Sequence, residues 1–396
     1  MAMSRRFAAR PVLLSQAAVV AAAMIFGLTY SLSAALIAQD LAEQGFSEAF
    51  IGVNAAMHAV GVLIMAFLLP RCVGRVGMKR MVIGALAVAA VVLVLFPAMP
   101  SIWLWFPLRI VLGAASETLF VMSETWLNSL STETTRARAM ASYTAALSVG
   151  FALGPFILSY VGAGGGALAY WIGAAFALVA VACIARPGMV QPTFEEPADG
   201  NPLRFIALAP IAMAATVLHA AVESSGLSFL ALYAQKLGWG EADATQLMSC
   251  MMVGAIVLQL PIGWIGDKVD RRRMIIALAG LSVIGALVWP WALLSPWTTY
   301  PLLFVWGGAF VGIYTIMLTI VGSRFAGSRL VGIYAAMGLM WGAGALLGPL
   351  LAGLAMQWLN HGLPLFVAFA CGCFMVAAMW NPPRDAVTPV ETTSLS

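Results

Sequence analysis

The chain alternates long apolar runs with short polar connections. Twelve apolar segments can be marked, at residues 12–38, 49–69, 81–99, 103–128, 138–161, 166–185, 205–233, 245–265, 274–292, 299–322, 331–356 and 363–380. Because a helix rises ~1.5 Å per residue, ~20 apolar residues cross the ~30 Å hydrocarbon core of a bilayer. The pattern therefore predicts an all-α membrane protein with 12 transmembrane helices.

Composition supports this class and excludes others. Hydrophobic residues make up 62% of the chain and charged residues 9%, whereas a soluble domain has ~25% charged residues. This excludes a soluble enzyme, and we expect no nucleic-acid partner. The five cysteines form no CxxC pair, so we expect packing residues rather than disulfides or metal ligands. The sequence contains no GxxxxGKS or GxxxxGKT phosphate-binding loop, so we expect neither ATP-driven pumping nor a cofactor.

The basic residues fall on alternate connections. The chain has 20 lysines and arginines. All except Arg109 and Lys236 lie near a terminus or in every second connection, some of them at its edge. Cytoplasmic connections of membrane proteins carry the excess of Lys and Arg. The pattern predicts a protein integral to the bacterial cytoplasmic (inner) membrane, with both termini in the cytoplasm and Lys236 outside.

The two halves of the sequence repeat. Residues 45–49 (GFSEA) recur as 238–242 (GWGEA), and Gly-x-x-x-Gly-Pro at 150–155 recurs at 344–349. Six segments return the chain to the same side, so the copies run parallel. The repeat predicts two six-helix bundles related by an axis along the membrane normal.

A polar, proline-broken stretch separates these copies and sets the predicted domains. The N-terminal six-helix bundle covers 1–185 and a cytoplasmic linker covers 186–204. The C-terminal six-helix bundle covers 205–380, and a cytoplasmic tail covers 381–396.

The fourth segment carries charges inside an apolar run. On a helix, Arg109, Gly113, Glu117, Phe120 and Glu124 share one face. Each charge costs ~2.5–3.5 kcal/mol in hydrocarbon, so this face must contact protein or water. Two interpretations stay open: a buried structural ion pair, and a polar pathway through the membrane, which we favour.

A proton-coupling role is one form of that pathway. Arg109 stays charged in proteins and favours a nearby carboxylate. Glu117 lies two turns deeper, near the membrane midplane, where burial favours the neutral acid instead. Competition between these effects would let Glu117 load and release protons. The alternative is a permanent link from Arg109 that only packs the helices.

Several motifs resemble those of the major facilitator superfamily. Residues 263–272 (GWIGDKVDRR) are similar to its loop signature, and 70–80 is a degenerate copy. Arg109-x-x-x-Gly113 resembles the fourth-span signature of proton-coupled members, and 150–155 resembles the fifth-span glycine–proline signature. Within the superfamily, the SETWL sequence at 123–127 is similar to the YcaD-like branch.

This resemblance implies that spans 1, 4, 7 and 10 line a central cavity. The candidate substrate-binding residues there are Tyr30, His219, Glu223, Trp306 and Tyr314. His219 and Glu223 are four residues apart and therefore share one helix face. Glu223 is also a candidate for proton coupling, and the alternative for the pair is a hydrogen-bonded link between helices. His58, in the second segment, is predicted to pack or to hydrogen-bond between helices.

The resemblance also implies a gate on the cytoplasmic side. Glu124 is expected to latch to Arg75, although proton transfer is the alternative role for Glu124. Asp267 is expected to cap a helix of the other half, with Lys268 and Arg271 as partners. The alternative for Asp267 is a solvated loop acid.

Together these patterns predict a monomeric secondary transporter that moves a small organic solute by alternating access. Proton antiport that exports a neutral or cationic amphiphile is the first hypothesis, and proton symport of a nutrient is the alternative. A sensor or channel is less favoured, because the repeat and its gate loops are typical of transporters. Tryptophans near the outer span ends are predicted to anchor the protein at the membrane interface: Trp103, Trp105, Trp289, Trp291 and Trp297.

Overall fold

The computed structural model describes residues 2–162, 167–191, 202–266, 268–325 and 327–380. Within these ranges 12 helices are long and apolar enough to cross a membrane, which confirms the predicted fold class. They are α1 (Ala2–Glu43), α2 (Glu48–Val76), α3 (Met78–Ala98), α4 (Trp105–Ser129), α5 (Glu133–Val161), α6 (Leu168–Ala185), α7 (Pro210–Lys236), α8 (Glu241–Gly266), α9 (Arg271–Ala292), α10 (Pro296–Arg324), α11 (Gly327–Trp358) and α12 (Gly362–Trp380). Short 3₁₀ helices at Ile102–Leu104 and Pro202–Leu208 precede α4 and α7.

Local sequence signals set several helix ends. The Ser47 hydroxyl accepts a hydrogen bond from the backbone N–H of Phe50 at 3.3 Å and caps α2. The Asp270 carboxylate accepts one from the backbone N–H of Arg273 at 2.8 Å and caps α9. Gly77 separates α2 from α3 with a φ of 82°, a conformation that favours glycine. These breaks keep the connections between spans short.

The first six helices form one half and the last six the other. We call the side where α1 begins, and where the chain passes from α6 to α7, the linker side. The opposite side, with the α1–α2 connection, is the distal side. Across the boundary between the halves, α2 packs along α11, α5 along α8, and α1 against α7.

Polar contacts between described residues join the halves near the distal ends of the helices. They are Gln39 Nε2 donating to Thr245 Oγ1 at 2.9 Å, Gln246 Nε2 to Ser159 Oγ at 3.3 Å, Ser249 Oγ to the Ala152 carbonyl at 2.9 Å, and the ion pair of Lys236 with Glu48. These contacts close the distal side in this conformation.

Glycines bring α2 and α11 into backbone contact at the same side. A Cβ atom on Gly353 would overlap the carbonyl oxygen of Glu48 and would lie 3.2 Å from the Cα of Gly52. A Cβ atom on Gly52 would in turn overlap the carbonyl oxygen of Pro349. We call this contact the glycine contact, and only residues without side chains fit there.

Exposed tryptophans mark both ends of the helix bundle. Trp103, Trp291 and Trp297 are exposed at the distal ends, as predicted for interfacial anchors. Trp264 and Trp380 are exposed at the linker side, so the bundle has a tryptophan girdle at each end.

The prediction was wrong for Trp105 and Trp289. Both are buried: Trp105 packs edge-on against Phe96, and Trp289 packs against Trp306. Their helices turn these positions towards neighbouring helices rather than towards the bundle surface.

Some predicted features lie outside the described residues. These are Asp267, residues 192–201 of the predicted linker, and the predicted tail at 381–396.

Candidate functional site

Two acidic residues occupy the centres of helices from opposite halves. Glu117 is the midpoint of α4 (Trp105–Ser129), and Glu223 is the midpoint of α7 (Pro210–Lys236). Both side chains are partly exposed rather than fully buried. Ionisable residues at the middle of membrane helices mark transport pathways.

Glu223 makes the closer contacts of the two. Its Oε2 lies 3.5 Å from Nε2 of His219, one turn earlier on α7, as the four-residue spacing predicts. Tyr30 on α1 and Tyr314 on α10 are both within electrostatic range of Glu223. The structure thus brings three of the predicted substrate-binding residues, Tyr30, His219 and Tyr314, together around the carboxylate of a fourth, Glu223.

Stacked rings extend from this group. The His219 ring lies 4.7 Å from Tyr314 with an 8° interplanar angle, and 5.7 Å from Phe310 with a 16° angle. Phe310 stacks on Trp306 at 5.0 Å and 3°. We call Tyr314, His219, Phe310 and Trp306 the aromatic column. Phe310 was not among the residues predicted from the sequence, although it lies one helical turn from Tyr314 on α10.

Trp306 forms the rear of the aromatic column. Its side chain is 2% exposed and its indole N–H donates to the Ser282 carbonyl at 2.9 Å. In this conformation Trp306 supports the stack from behind, while Tyr314 and His219 reach the surface. Its predicted role in substrate binding stays a prediction.

Arg109 lies apart from both acids. It is near the distal end of α4, eight residues from Glu117, which is ~12 Å along a helix. No ion pair joins Arg109 to Glu117 among the described residues. The permanent link considered from the sequence is therefore not formed here, because a shared helix face does not bring side chains two turns apart into contact.

Arg109 instead faces His58 and Tyr30. The rings of His58 and Tyr30 pack edge to face at 4.9 Å. Both ring nitrogens of His58 are buried without a hydrogen-bond partner in the described part of the chain. The predicted packing of His58 is observed, whereas an interhelical hydrogen bond of its ring is not.

Glu124 and Arg75, the first predicted gate pair, do not form a latch in this conformation. Glu124 is partly buried on the linker-side half of α4, within electrostatic range of Tyr314 and Tyr334 in the other half. Arg75 is exposed at the end of α2, and within the described ranges it forms no ion pair with Glu124.

The second gate loop is held by its own half. The Lys268 ammonium lies 3.3 Å from the centre of the Trp264 ring, a cation–π contact. Arg271 Nη1 donates to Ser323 Oγ at 3.4 Å. Asp267, between these elements, lies outside the described residues.

Comparison with known protein families identifies one match across nearly the whole chain. The family model of the Major Facilitator Superfamily matches residues 19–209 and 211–395. The chain is 25% identical over 362 residues to the uncharacterized MFS-type transporter YfkF of Bacillus subtilis, covering 89% of this chain and 91% of that one. It is 24% identical over 371 residues to the uncharacterized MFS-type transporter YcaD of Escherichia coli O139:H28, covering 93% and 95%.

Solved structures share the fold at low sequence identity. The nucleoside transporter NupG superposes with a TM-score of 0.74 and 14% identity, covering 93% of this chain and 98% of that one. The D-xylose–proton symporter gives a TM-score of 0.73 and 14% identity, covering 93% and 97%.

Proposed function

The chain belongs to the major facilitator superfamily, and from this premise we propose that it exports a small organic compound in exchange for protons. Membership makes it an integral membrane protein and a secondary transporter rather than an enzyme. We also propose that the carrier is a monomer in the bacterial cytoplasmic membrane. The distribution of positive residues favours a linker side that faces the cytoplasm.

The observation that carries this proposal is the pair of midplane acids, one from each half. Glu117 and Glu223 sit at the centres of α4 and α7, and neither side chain is fully covered by protein while the distal side is closed. A charged carboxylate is energetically costly at this depth in the membrane. A conformational change that removes water from the two acids therefore favours proton uptake. Proton binding would then shift the equilibrium between the distal-open and distal-closed conformations, and that equilibrium would in turn affect proton binding.

The aromatic column supports a substrate class. Tyr314 forms the end of the aromatic column, next to the pair of His219 and Glu223. A ring face at the end of the column and one negative group favour a flat, neutral or cationic amphiphile over an anion. In this proposal Tyr30, on the other half, contacts the substrate from the opposite side.

A gate on the linker side completes the cycle. We assign Glu124, Arg75, Asp267, Lys268 and Arg271 to this gate, which would form when the linker side closes. Glu124 already faces tyrosines of the opposite half, and Lys268 is positioned by Trp264.

The test is the Glu117→Gln variant in liposomes, with ethidium as a fluorescent aromatic cation. Glutamine imitates the protonated acid, so ethidium movement driven by a pH gradient should fall to background. Ethidium counterflow, which needs no net proton movement, should persist. Glu43→Gln, which changes an exposed acid at the distal end of α1, is the matched control and should retain both activities.

Two outcomes would revise the proposal. Wild-type rates of both activities in Glu117→Gln would remove Glu117 from coupling and make Glu223 the next candidate. The direction in which a proton gradient moves ethidium distinguishes antiport from symport. An inward proton gradient drives efflux in antiport, whereas accumulation under the same gradient would establish symport.

A further inference from the structure

A small cavity lies between the halves and extends from the level of Glu223 towards the distal side. Its volume is about 10 Å³, the space of one water-sized sphere. Helices α1, α2 and α4 line it from one half, and α7 and α11 from the other. Its polar lining residues are Tyr30, His58, Arg109, Ser224 and Ser228.

Several polar atoms of this cavity have no hydrogen-bond partner in the part of the chain that the structure describes. Arg109, His58 and Ser224 are only 3%, 5% and 7% exposed. Among the described residues, Arg109 Nε, both ring nitrogens of His58 and Ser224 Oγ are buried without a hydrogen bond. Ser224 Oγ faces Tyr30 without reaching hydrogen-bond geometry. Buried polar groups are rarely left unpaired, so such a cluster indicates a ligand.

Charge determines which ligand fits. The Arg109 guanidinium is permanently positive, and no carboxylate of the described residues lies within ion-pair distance of it. The arginine, serine, tyrosine and histidine side chains of the lining together supply N–H and O–H donors. A water molecule could accept these hydrogen bonds but would leave the buried charge uncompensated, which is unfavourable.

We propose that this cavity binds a small monatomic anion, and chloride is the abundant anion with which to probe it. Arg109 and Ser224 would donate to the anion, with His58 and Tyr30 completing the shell. Because both halves line the cavity, it exists in this form only while they meet at the distal side. A bound anion therefore stabilises the distal-closed conformation.

The experiment compares thermal unfolding of the purified full chain in sodium chloride and in sodium gluconate at equal ionic strength. In wild type the melting temperature should rise saturably with chloride, by about 2 °C or more, and not with gluconate. Arg109→Gln should lose this chloride-specific rise. Arg80→Gln, which removes an exposed arginine at the start of α3, is the matched control and should keep it.

Ser224→Ala keeps the test decisive if Arg109→Gln does not fold. This substitution removes one hydrogen-bond donor and no charge. The chloride concentration that gives half of the rise in melting temperature should therefore increase roughly tenfold. Equal wild-type melting temperatures in the two salts would overturn the proposal in favour of a water-filled cavity. A chloride-specific rise that survives unchanged in both cavity variants would place the anion elsewhere and overturn it as well.

Discussion

The glycine contact between α2 and α11 allows a sharp test of alternating access. In Gly353→Ala the new methyl group would overlap the Glu48 carbonyl oxygen and approach the Cα of Gly52 to 3.2 Å. Both neighbours are backbone atoms, so neither can rotate away. The two helices must therefore separate locally at the distal side.

The size of the expected shift in the conformational equilibrium follows from where the new methyl group overlaps its neighbours. Overpacking a tight contact costs ~1–3 kcal/mol. In alternating access this contact is made only when the distal side is closed, so the cost falls on that conformation alone. The ratio of distal-closed to distal-open carriers should then fall roughly 5–150-fold. The gain of ~1 kcal/mol in helix propensity from Gly to Ala applies to both conformations and cancels.

Spin labels at Gln44 and Asn360 would report this shift by electron–electron distance measurement. Both residues are exposed in distal connections, one on each half. We expect a larger population at the longer distance in Gly353→Ala. Gly338→Ala is the matched control in the same helix, since a Cβ atom there meets nothing within 4 Å. Identical distance distributions in wild type and both variants would refute the reasoning.

Two further predictions concern topology and the distal ion pair. A cysteine placed within residues 98–101 should react with an impermeant thiol reagent added outside, and one within 131–135 should not; the opposite labelling would reverse the orientation. Lys236→Gln should favour the distal-open conformation by at most ~1 kcal/mol, because Lys236 and Glu48 are 44% and 23% exposed. High salt should abolish the difference from wild type in the same spin-label assay, and a salt-independent effect would contradict an electrostatic origin.

The fold could be predicted from the sequence because the hydropathy of each span is a local property of the chain. Every span needs its own run of apolar residues, so the 12 helices and their order follow from hydropathy alone. The contact between His219 and Glu223 was also predictable, because a four-residue spacing on one helix fixes it.

Contacts between helices were less predictable. The aromatic column depends on how α10 packs against α7, and Phe310 therefore could not be distinguished from other apolar residues of its span. Trp105 and Trp289 were placed by their distance from a span end, which does not determine the helix face. The sequence predicts Lys236 as the single cation outside, but the ion pair of Lys236 with Glu48 depends on how α7 packs against α2.

The two tryptophan girdles have a consequence for how the carrier responds to its membrane. Indole rings prefer the headgroup region, so the distal and linker-side girdles fix the thickness of bilayer that the protein matches. If the halves rock during transport, Trp297 and Trp380 would move relative to that region, and each ångström of hydrophobic mismatch costs a fraction of a kcal/mol. We therefore expect lipid chain length to act on the carrier much as a ligand does, by favouring one conformation over the other.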